Sequence, residues 1–234
     1  MNYWDMIDEL TRLAGEETNT TSSKTLGLLK KGISFYAETL SLISIRHSTN
    51  DIVARIALAS QNFNSLKLAI DAAINGYYVQ SMILMRNVYE NWLAFWYLAK
   101  FPTDADIWLN PQPNRRPPTA ETMRNKIDYS VQETKSKLHE YYVELNRFSH
   151  TDPIAILNRL RKDEGEISVR LGVEYNPVEF DACANSILFW LANMLIAINP
   201  WVSKTDNGWT EKYESLLTEI NNFHQEFLHH TQQD

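Results

Sequence analysis

The chain has 234 residues, of which 44% are hydrophobic and 12% aromatic, so it can bury a sizeable core. Seven glycines, eight prolines and 22% charged residues exclude collagen-like, low-complexity and highly charged tail compositions. The formal net charge of −7 argues against non-specific duplex binding, because that class of protein needs a basic surface to displace phosphate counterions.

Cysteine usage and the first residues bear on the compartment. Cys183 is the single cysteine and cannot form an internal disulfide, so the fold does not depend on an oxidising environment. The first ten residues include Asp5, Asp8 and Glu9 and lack the basic and apolar regions of a signal peptide. We expect a cytoplasmic protein that forms a single helical domain over residues 1–234.

Two amphipathic helices are predicted first. Apolar residues recur at helical spacing from Leu26 to Ile43, after Ser22 and Ser23 as candidate N-caps. A second stripe runs from Ile52 to Ala73. The polar connection between the two stripes is short, which predicts antiparallel neighbours.

The most apolar segment of the first half is Tyr77–Lys100, which is hydrophobic nearly all round. A helix that is apolar on every side is buried on every side, so we predict that this is the central helix. Five of the eight prolines follow between Pro102 and Pro118. This spacing predicts a long surface loop, in which Asp104–Leu109 can form one helical turn.

In the middle of the chain, the spacing of apolar residues changes from helical to alternating. Helical spacing predicts a helix from Thr119 to His150, and Asp152-Pro153 then starts a short helix that reaches about Lys162. Apolar and polar residues alternate strictly from Ile167 to Tyr175. This alternation predicts either a small hairpin that turns near Gly172 or a single extended arm.

Two helices complete the predicted fold. Asn176-Pro177 opens a helix over Pro177–Asn199, and Ala182–Ser203 carries no charge. We interpret this segment as a second buried core helix and not as a membrane span, because polar residues interrupt it and no basic cluster flanks it. With a last helix at about Trp209–His230, the sequence predicts an all-α bundle of about six to eight helices.

Two charged residues, Arg86 and Glu90, lie four positions apart in the central helix and share a face. Ionised groups in an apolar helix are unfavourable unless paired. The favoured interpretation is a buried ion pair that fixes helix register, and the alternative is a ligand pocket on which Arg147 and His150 converge. At a helix end, His150 is more simply a cap for free carbonyls than a general acid or base.

The run Met82–Trp92, which contains Arg86-x-x-x-Glu90, and the run Leu145–His150 resemble helices of uncharacterised bacterial proteins related to the HEPN superfamily. The resemblance covers about half of the chain. It implies a helical homodimer, and many HEPN-like proteins are ribonucleases of toxin, abortive-infection or antiphage systems. Those enzymes pair an Arg with a His across a longer spacer than the two residues between Arg147 and His150, which argues against ribonuclease activity here.

Other patterns are weak. Glu226 and His229 supply only half of a dinuclear carboxylate site, so we predict no metal and no cofactor. Cys183 has apolar neighbours on its helix and is predicted to be a buried, inert thiol. Two basic clusters are interpreted as solvated surface because no aromatic residue interleaves with them. Their members are Arg115, Arg116, Arg124 and Lys126, and Arg159, Arg161 and Lys162.

Two functional hypotheses follow. The favoured one is a HEPN-like binding or assembly module, acting as a homodimer in a bacterial stress or defence system. The alternative is an RNA- or nucleotide-directed enzyme that uses Arg86, Glu90, Arg147 and His150. A protein partner is compatible with either hypothesis, whereas a membrane partner is not expected. The two differ in whether the four side chains share one solvent-accessible cleft.

Overall fold

The computed structural model describes residues 2–43, 45, 48–110, 112–127, 132–149, 160–163, 166–169, 173–202 and 207–231. They form an all-α bundle with a small hairpin. The helices of these residues are α1 (Tyr3–Thr21), α2 (Ser23–Ser41), α3 (Asn50–Ile74), α4 (Tyr78–Lys100), α5 (Asp106–Leu109), α6 (Ala120–Lys126), α7 (Gln132–Ser149), α8 (Pro177–Ile198) and α9 (Asn207–Thr231). Short 3₁₀ turns occupy Pro102–Ala105 and Asn199–Trp201, and the strands are β1 (Leu160–Asp163) and β2 (Glu166–Val169).

The two helices predicted as the core are confirmed. α4 packs against α3, α6, α7 and α8, and α8 packs against α2, α3, α4 and α9. Within the described residues, Pro177–Trp201 is long and apolar enough to cross a membrane, but 61% of its most apolar window is buried inside the bundle. The core of a folded bundle accounts for this apolar composition without a membrane.

A tight turn joins α3 to α4. Gly76 has φ +78°, and a Cβ there would lie 3.1 Å from the carbonyl oxygen of Glu174 and from the Cβ of Val173. The amide of Tyr77 donates to the carbonyl of Ala72 and closes the end of α3. The left-handed conformation and the close approach both favour glycine, so Gly76 allows the chain to turn sharply between α3 and α4.

α1 was not predicted, and its packing explains why. Its buried residues are Ala14, Gly15 and Thr18. These side chains are too small to give a hydrophobic stripe in the sequence. Thr18 instead donates to the carbonyl oxygens of Ala14 and Ile74, so a hydrogen bond links α1 to the end of α3.

Two predictions for the middle of the chain are wrong. The single helix from Thr119 to His150 is divided, because Ile127 has extended backbone angles after α6 and α7 begins at Gln132. β1 and β2 pair antiparallel, with Leu160 opposite Val169. The start of the alternating segment is therefore an extended strand that pairs with β1, which agrees with the extended-arm alternative, while Gly172 lies outside the described residues. Residues 160–162 of the predicted short helix are a strand, since they partner the alternating segment, and residues 152–159 lie outside the described residues.

Candidate binding cleft

The charged pair of α4 is present, but it is not sealed in the core. Arg86 Nε donates to Glu90 Oε1 at 3.0 Å. The side chains of Arg86 and Glu90 are 26% and 37% exposed, so the predicted interaction is observed while the predicted burial is wrong. The bundle stays open on this side of α4, and water reaches both groups.

The pair lines a cleft of about 440 Å³ between α4 and the segment that follows α5. Polar groups lie on the α4 side, and aromatic and proline side chains form most of the opposite walls. The lining residues are Arg86, Glu90, Asn91, Ala94, Trp108, Pro117, Pro118, Thr119, Ala120, Met123 and Tyr142. The cleft surface is thus polar and apolar in about equal parts, and its polar groups could orient a small ligand.

Local contacts fix the wall that α5 supplies. Trp108 packs against the ring of Tyr97, with centroids 6.2 Å apart, and Tyr97 donates its hydroxyl to Asp104 Oδ2 at 2.5 Å. Asn50, at the start of α3, donates its side-chain amide to Asp106. These bonds attach α5 to the end of α4 and the start of α3, so Trp108 has a defined place at the cleft.

The wall that α6 supplies begins at a capped helix end. Thr119 is the N-cap, and its hydroxyl oxygen accepts from the amide of Thr122 at 3.2 Å. Pro117 and Pro118 precede the cap and restrict the backbone conformation before it. The proline-rich segment predicted as a surface loop therefore ends as one side of the cleft.

An asparagine ladder holds α4 against α3 beneath the charged pair. Asn91 donates to Asn62 Oδ1 at 2.8 Å and to Asn87 Oδ1 at 3.1 Å. Ser65 donates to Asn87 Oδ1, and fully buried Asn62 donates to the carbonyl of Val88. This ladder fixes the register of α4 on α3, the role that the sequence assigned to the Arg86–Glu90 pair.

A second arginine lies beside the cleft. Arg124, on α6, is only 5% exposed, which corrects the prediction of solvated surface for this residue, whereas Arg115, Arg116 and Lys126 of the same cluster are exposed as predicted. Its Nη1 lies 3.5 Å from the hydroxyl of Tyr89, and its guanidinium is 5.2 Å from the centroid of Tyr142. The guanidinium of Arg86 is 5.8 Å from the same Tyr142 centroid. One cleft-lining ring therefore has two cations within 6 Å.

Tyr89 links Tyr142 to the core. The rings of Tyr89 and Tyr142 are stacked with centroids 5.3 Å apart, and Tyr89 meets Trp190 of α8 edge-on at 5.1 Å. Burial raises the pKa of the Tyr89 hydroxyl, and the hydrogen bond with Arg124 partly offsets this rise. Tyr89 thus stays protonated at neutral pH and acts here as a packing and hydrogen-bonding group.

The other two predicted site residues do not complete the cleft. Arg147 is exposed, and its Nη1 donates to Glu144 at 2.8 Å, one turn earlier on α7. It is not among the residues that line the cleft. His150 lies outside the described residues. The structure therefore brings together Arg86 and Glu90 but leaves Arg147 apart from them.

Two further clefts lie between α2 and α9, with volumes of about 310 and 530 Å³. The charges along them neutralise each other across the groove. Lys31 pairs with Glu219 at 2.6 Å, and Lys212 pairs with Glu38 at 2.8 Å. Arg86 in the α4 cleft has a carboxylate partner too, so ion pairing does not distinguish the three sites; the α4 cleft differs in that its charged pair lies on a core helix.

The remaining candidates for chemistry are structural. Cys183 is buried as predicted, and burial raises the pKa of its thiol to about 12, which keeps it protonated. No group of three or more metal-ligating side chains occurs within the residues described above. His224 forms a hydrogen bond of 2.8 Å with Asn185, so it ties α9 to α8.

We compared the chain with protein families, curated proteins and solved structures. No protein-family model matches the sequence, and neither a curated protein nor a solved structure shows significant similarity to it. The functional argument therefore depends on the geometry of the cleft.

Proposed function

We propose that this protein is a helical binding module and that the α4 cleft is its ligand site. The observation that carries the proposal is that the ion pair of an otherwise apolar core helix opens onto a concavity of about 440 Å³. That volume lies within the range of roughly 300–1,000 Å³ that is usual for small-molecule sites. A charged pair placed only for stability would not need such a concavity.

The resemblance to HEPN-related proteins agrees with this role. It supports a cytoplasmic homodimer that acts in a bacterial stress or defence system and assembles with RNA, a nucleotide or a protein. The enzyme hypothesis has less support, because Arg147 does not line the cleft and pairs with Glu144. General acid–base chemistry needs groups within hydrogen-bond reach of one reacting atom.

A cleft-blocking variant tests the proposal. Ala120 lines the cleft, so Ala120→Trp fills it, while Glu121→Trp places the same side chain on the exposed side of α6. Ligand-observed NMR with a library of small polar aromatic compounds should find binders for the natural protein and for Glu121→Trp. Ala120→Trp should lose them. Binders that survive Ala120→Trp would place the ligand site elsewhere.

A separate assay addresses the enzyme hypothesis. Purified protein is incubated with mixed RNA in the presence of a chelator, and we expect no turnover. Cleavage that His150→Ala abolishes would favour the ribonuclease-like alternative over the binding module.

A further inference from the structure

Ion pairs between α2 and α9 recur at a regular spacing. Their members lie seven residues apart on each helix and follow opposite orders along the chain, so the two helices are antiparallel. Seven residues are the repeat of a coiled coil, in which the same face returns to the neighbouring helix every two turns. The first pair is Lys24 with Glu226 at 3.8 Å, the middle pair is Lys31 with Glu219 at 2.6 Å, and the last pair is Glu38 with Lys212 at 2.8 Å.

The two clefts between α2 and α9 lie between successive ion pairs. The first and middle pairs bound the cleft of about 310 Å³, and the middle and last pairs bound the cleft of about 530 Å³. Apolar side chains line each cleft between its ion pairs: Leu28 and Phe223 in the smaller one, and Phe35 and Leu216 in the larger one. The groove therefore contains two apolar holes that are one heptad, or about 10.5 Å, apart.

The charges beside these holes form two rows of opposite pattern. From the first pair to the last, the row on α2 is positive, positive and negative, and the row on α9 is negative, negative and positive. The six side chains are 40–91% exposed, so another molecule can reach them. A helix that lies in the groove has one flank beside each row. The two rows therefore attract one pattern of flanking charges and repel its reverse.

We propose that the groove between α2 and α9 docks an amphipathic helix of a protein partner. Two large apolar side chains of that helix, seven residues apart, enter the two clefts as knobs enter the holes of a coiled coil. Its flank beside α2 carries acidic, acidic and basic residues at the same spacing, and its flank beside α9 carries basic, basic and acidic ones. A helix presents side chains at this period, which is why it fits both holes and both rows of charges. The α4 cleft remains the proposed site for a small ligand, and the two sites are independent.

Synthetic helical peptides of about three heptads test this proposal by fluorescence anisotropy with the full chain. Each peptide has two leucines seven residues apart and the charge pattern given above, and one peptide is made for each chain direction in the groove. The control peptides have every charge reversed, which leaves them neutral overall like their counterparts. We expect at least one complementary peptide to bind about tenfold more tightly than its control. Equal binding of peptide and control, or binding by none of the peptides, would overturn the proposal.

A charge-swap variant tests where the peptide lies. Lys31→Glu combined with Glu219→Lys keeps the middle ion pair but reverses its direction across the groove. Because an ion pair between α2 and α9 is retained, we expect the fold to stay intact. The variant should bind the complementary peptide several-fold more weakly and should prefer a peptide whose two middle charges are also reversed. An unchanged preference would contradict docking between the two rows.

Two adjacent asparagines of α9 provide a matched pair of blocking variants. Asn222 lines the smaller cleft, whereas Asn221 is also exposed but does not line it. Asn222→Trp should abolish binding of the complementary peptide, and Asn221→Trp should leave its affinity within about twofold of that of the natural protein. Peptide binding that survives Asn222→Trp would place the peptide outside the groove and would overturn the proposal.

Discussion

α4 and α8 are both apolar core helices, but they use their polar residues differently. In α8 the polar side chains bond within the bundle: Ser186 with the Tyr141 hydroxyl, Asn193 with the carbonyl of Phe189, and Asn185 with His224. In α4 one ion pair faces a cleft that water enters. The difference indicates that charge in an apolar helix marks the side on which the bundle is open.

The largest loss of stability is expected from a substitution at the centre of the α8 core. Trp190 is fully buried and meets the rings of Tyr89, Trp92, Tyr141 and Phe189. Trp190→Ala should lower the free energy of unfolding by about 3–5 kcal/mol, because it leaves a cavity among these rings.

Urea denaturation measures this loss, and the same helix offers a control. Ile196 is 49% exposed, so Ile196→Ala should change the free energy of unfolding by about 0.5 kcal/mol or less. Similar losses in the two variants would contradict the assignment of α8 as the core helix.

The asparagine ladder gives the next largest effect. Asn62→Ala removes the acceptor of Asn91 and the donor to the Val88 carbonyl in a fully buried place. We expect a loss of about 1–3 kcal/mol, because buried polar groups are left without partners. In a double-mutant cycle, Asn62→Ala and Asn91→Ala should be strongly non-additive. Additive losses would mean that the ladder does not fix the register of α4.

The charged pair should matter much less for stability. A sealed ion pair would cost about 3–5 kcal/mol to break, but Arg86 and Glu90 are both partly exposed. We therefore expect Glu90→Ala to lower the free energy of unfolding by about 1 kcal/mol or less. A loss of several kcal/mol in the same urea assay would show that the pair is part of the core, as the sequence alone predicted.

The smallest effect concerns pH. Burial lowers the pKa of His224 below its usual value of about 6.5, so the unfolded chain takes up the proton first as pH falls. The contribution of His224 to the free energy of unfolding is therefore fully present above pH 6.5 or so, and it declines as the pH falls below that value. The free energies of unfolding at pH 7 and at pH 5.5 should therefore differ less in His224→Gln than in the exposed-site control His229→Gln. An unchanged difference in His224→Gln would exclude this origin.

Much of the fold follows from side-chain size and period. The stripes of α2 and α3 and the all-round apolar segments of α4 and α8 consist of large side chains, and these helices were predicted. α1 was missed because its buried face consists of Ala14, Gly15 and Thr18. The break after α6 was missed because an apolar stripe continues across it, and the period alone does not show that Ile127 leaves the helix.

The candidate site was only half predictable. Arg86 and Glu90 are conspicuous because they share one face of an apolar helix. Trp108 reaches the cleft only through the tertiary position of α5, which no local pattern encodes. Arg124 sits among other basic residues in the sequence, so its burial was hidden. The one available signal was its place next to Met123, on the apolar stripe of α6.

The central claim is that the α4 cleft, and not the groove between α2 and α9, binds the ligand. Protein labelled with ¹⁵N on tryptophan and arginine side chains is titrated with a library compound that binds the natural protein and is observed by NMR. We predict that the indole signal of Trp108 and the Nε signal of Arg86 shift together, saturably, in the natural protein but not in Ala120→Trp. Shifts confined to Trp209, which donates to Thr39 where α2 meets α9, with these two signals unmoved, would contradict the claim.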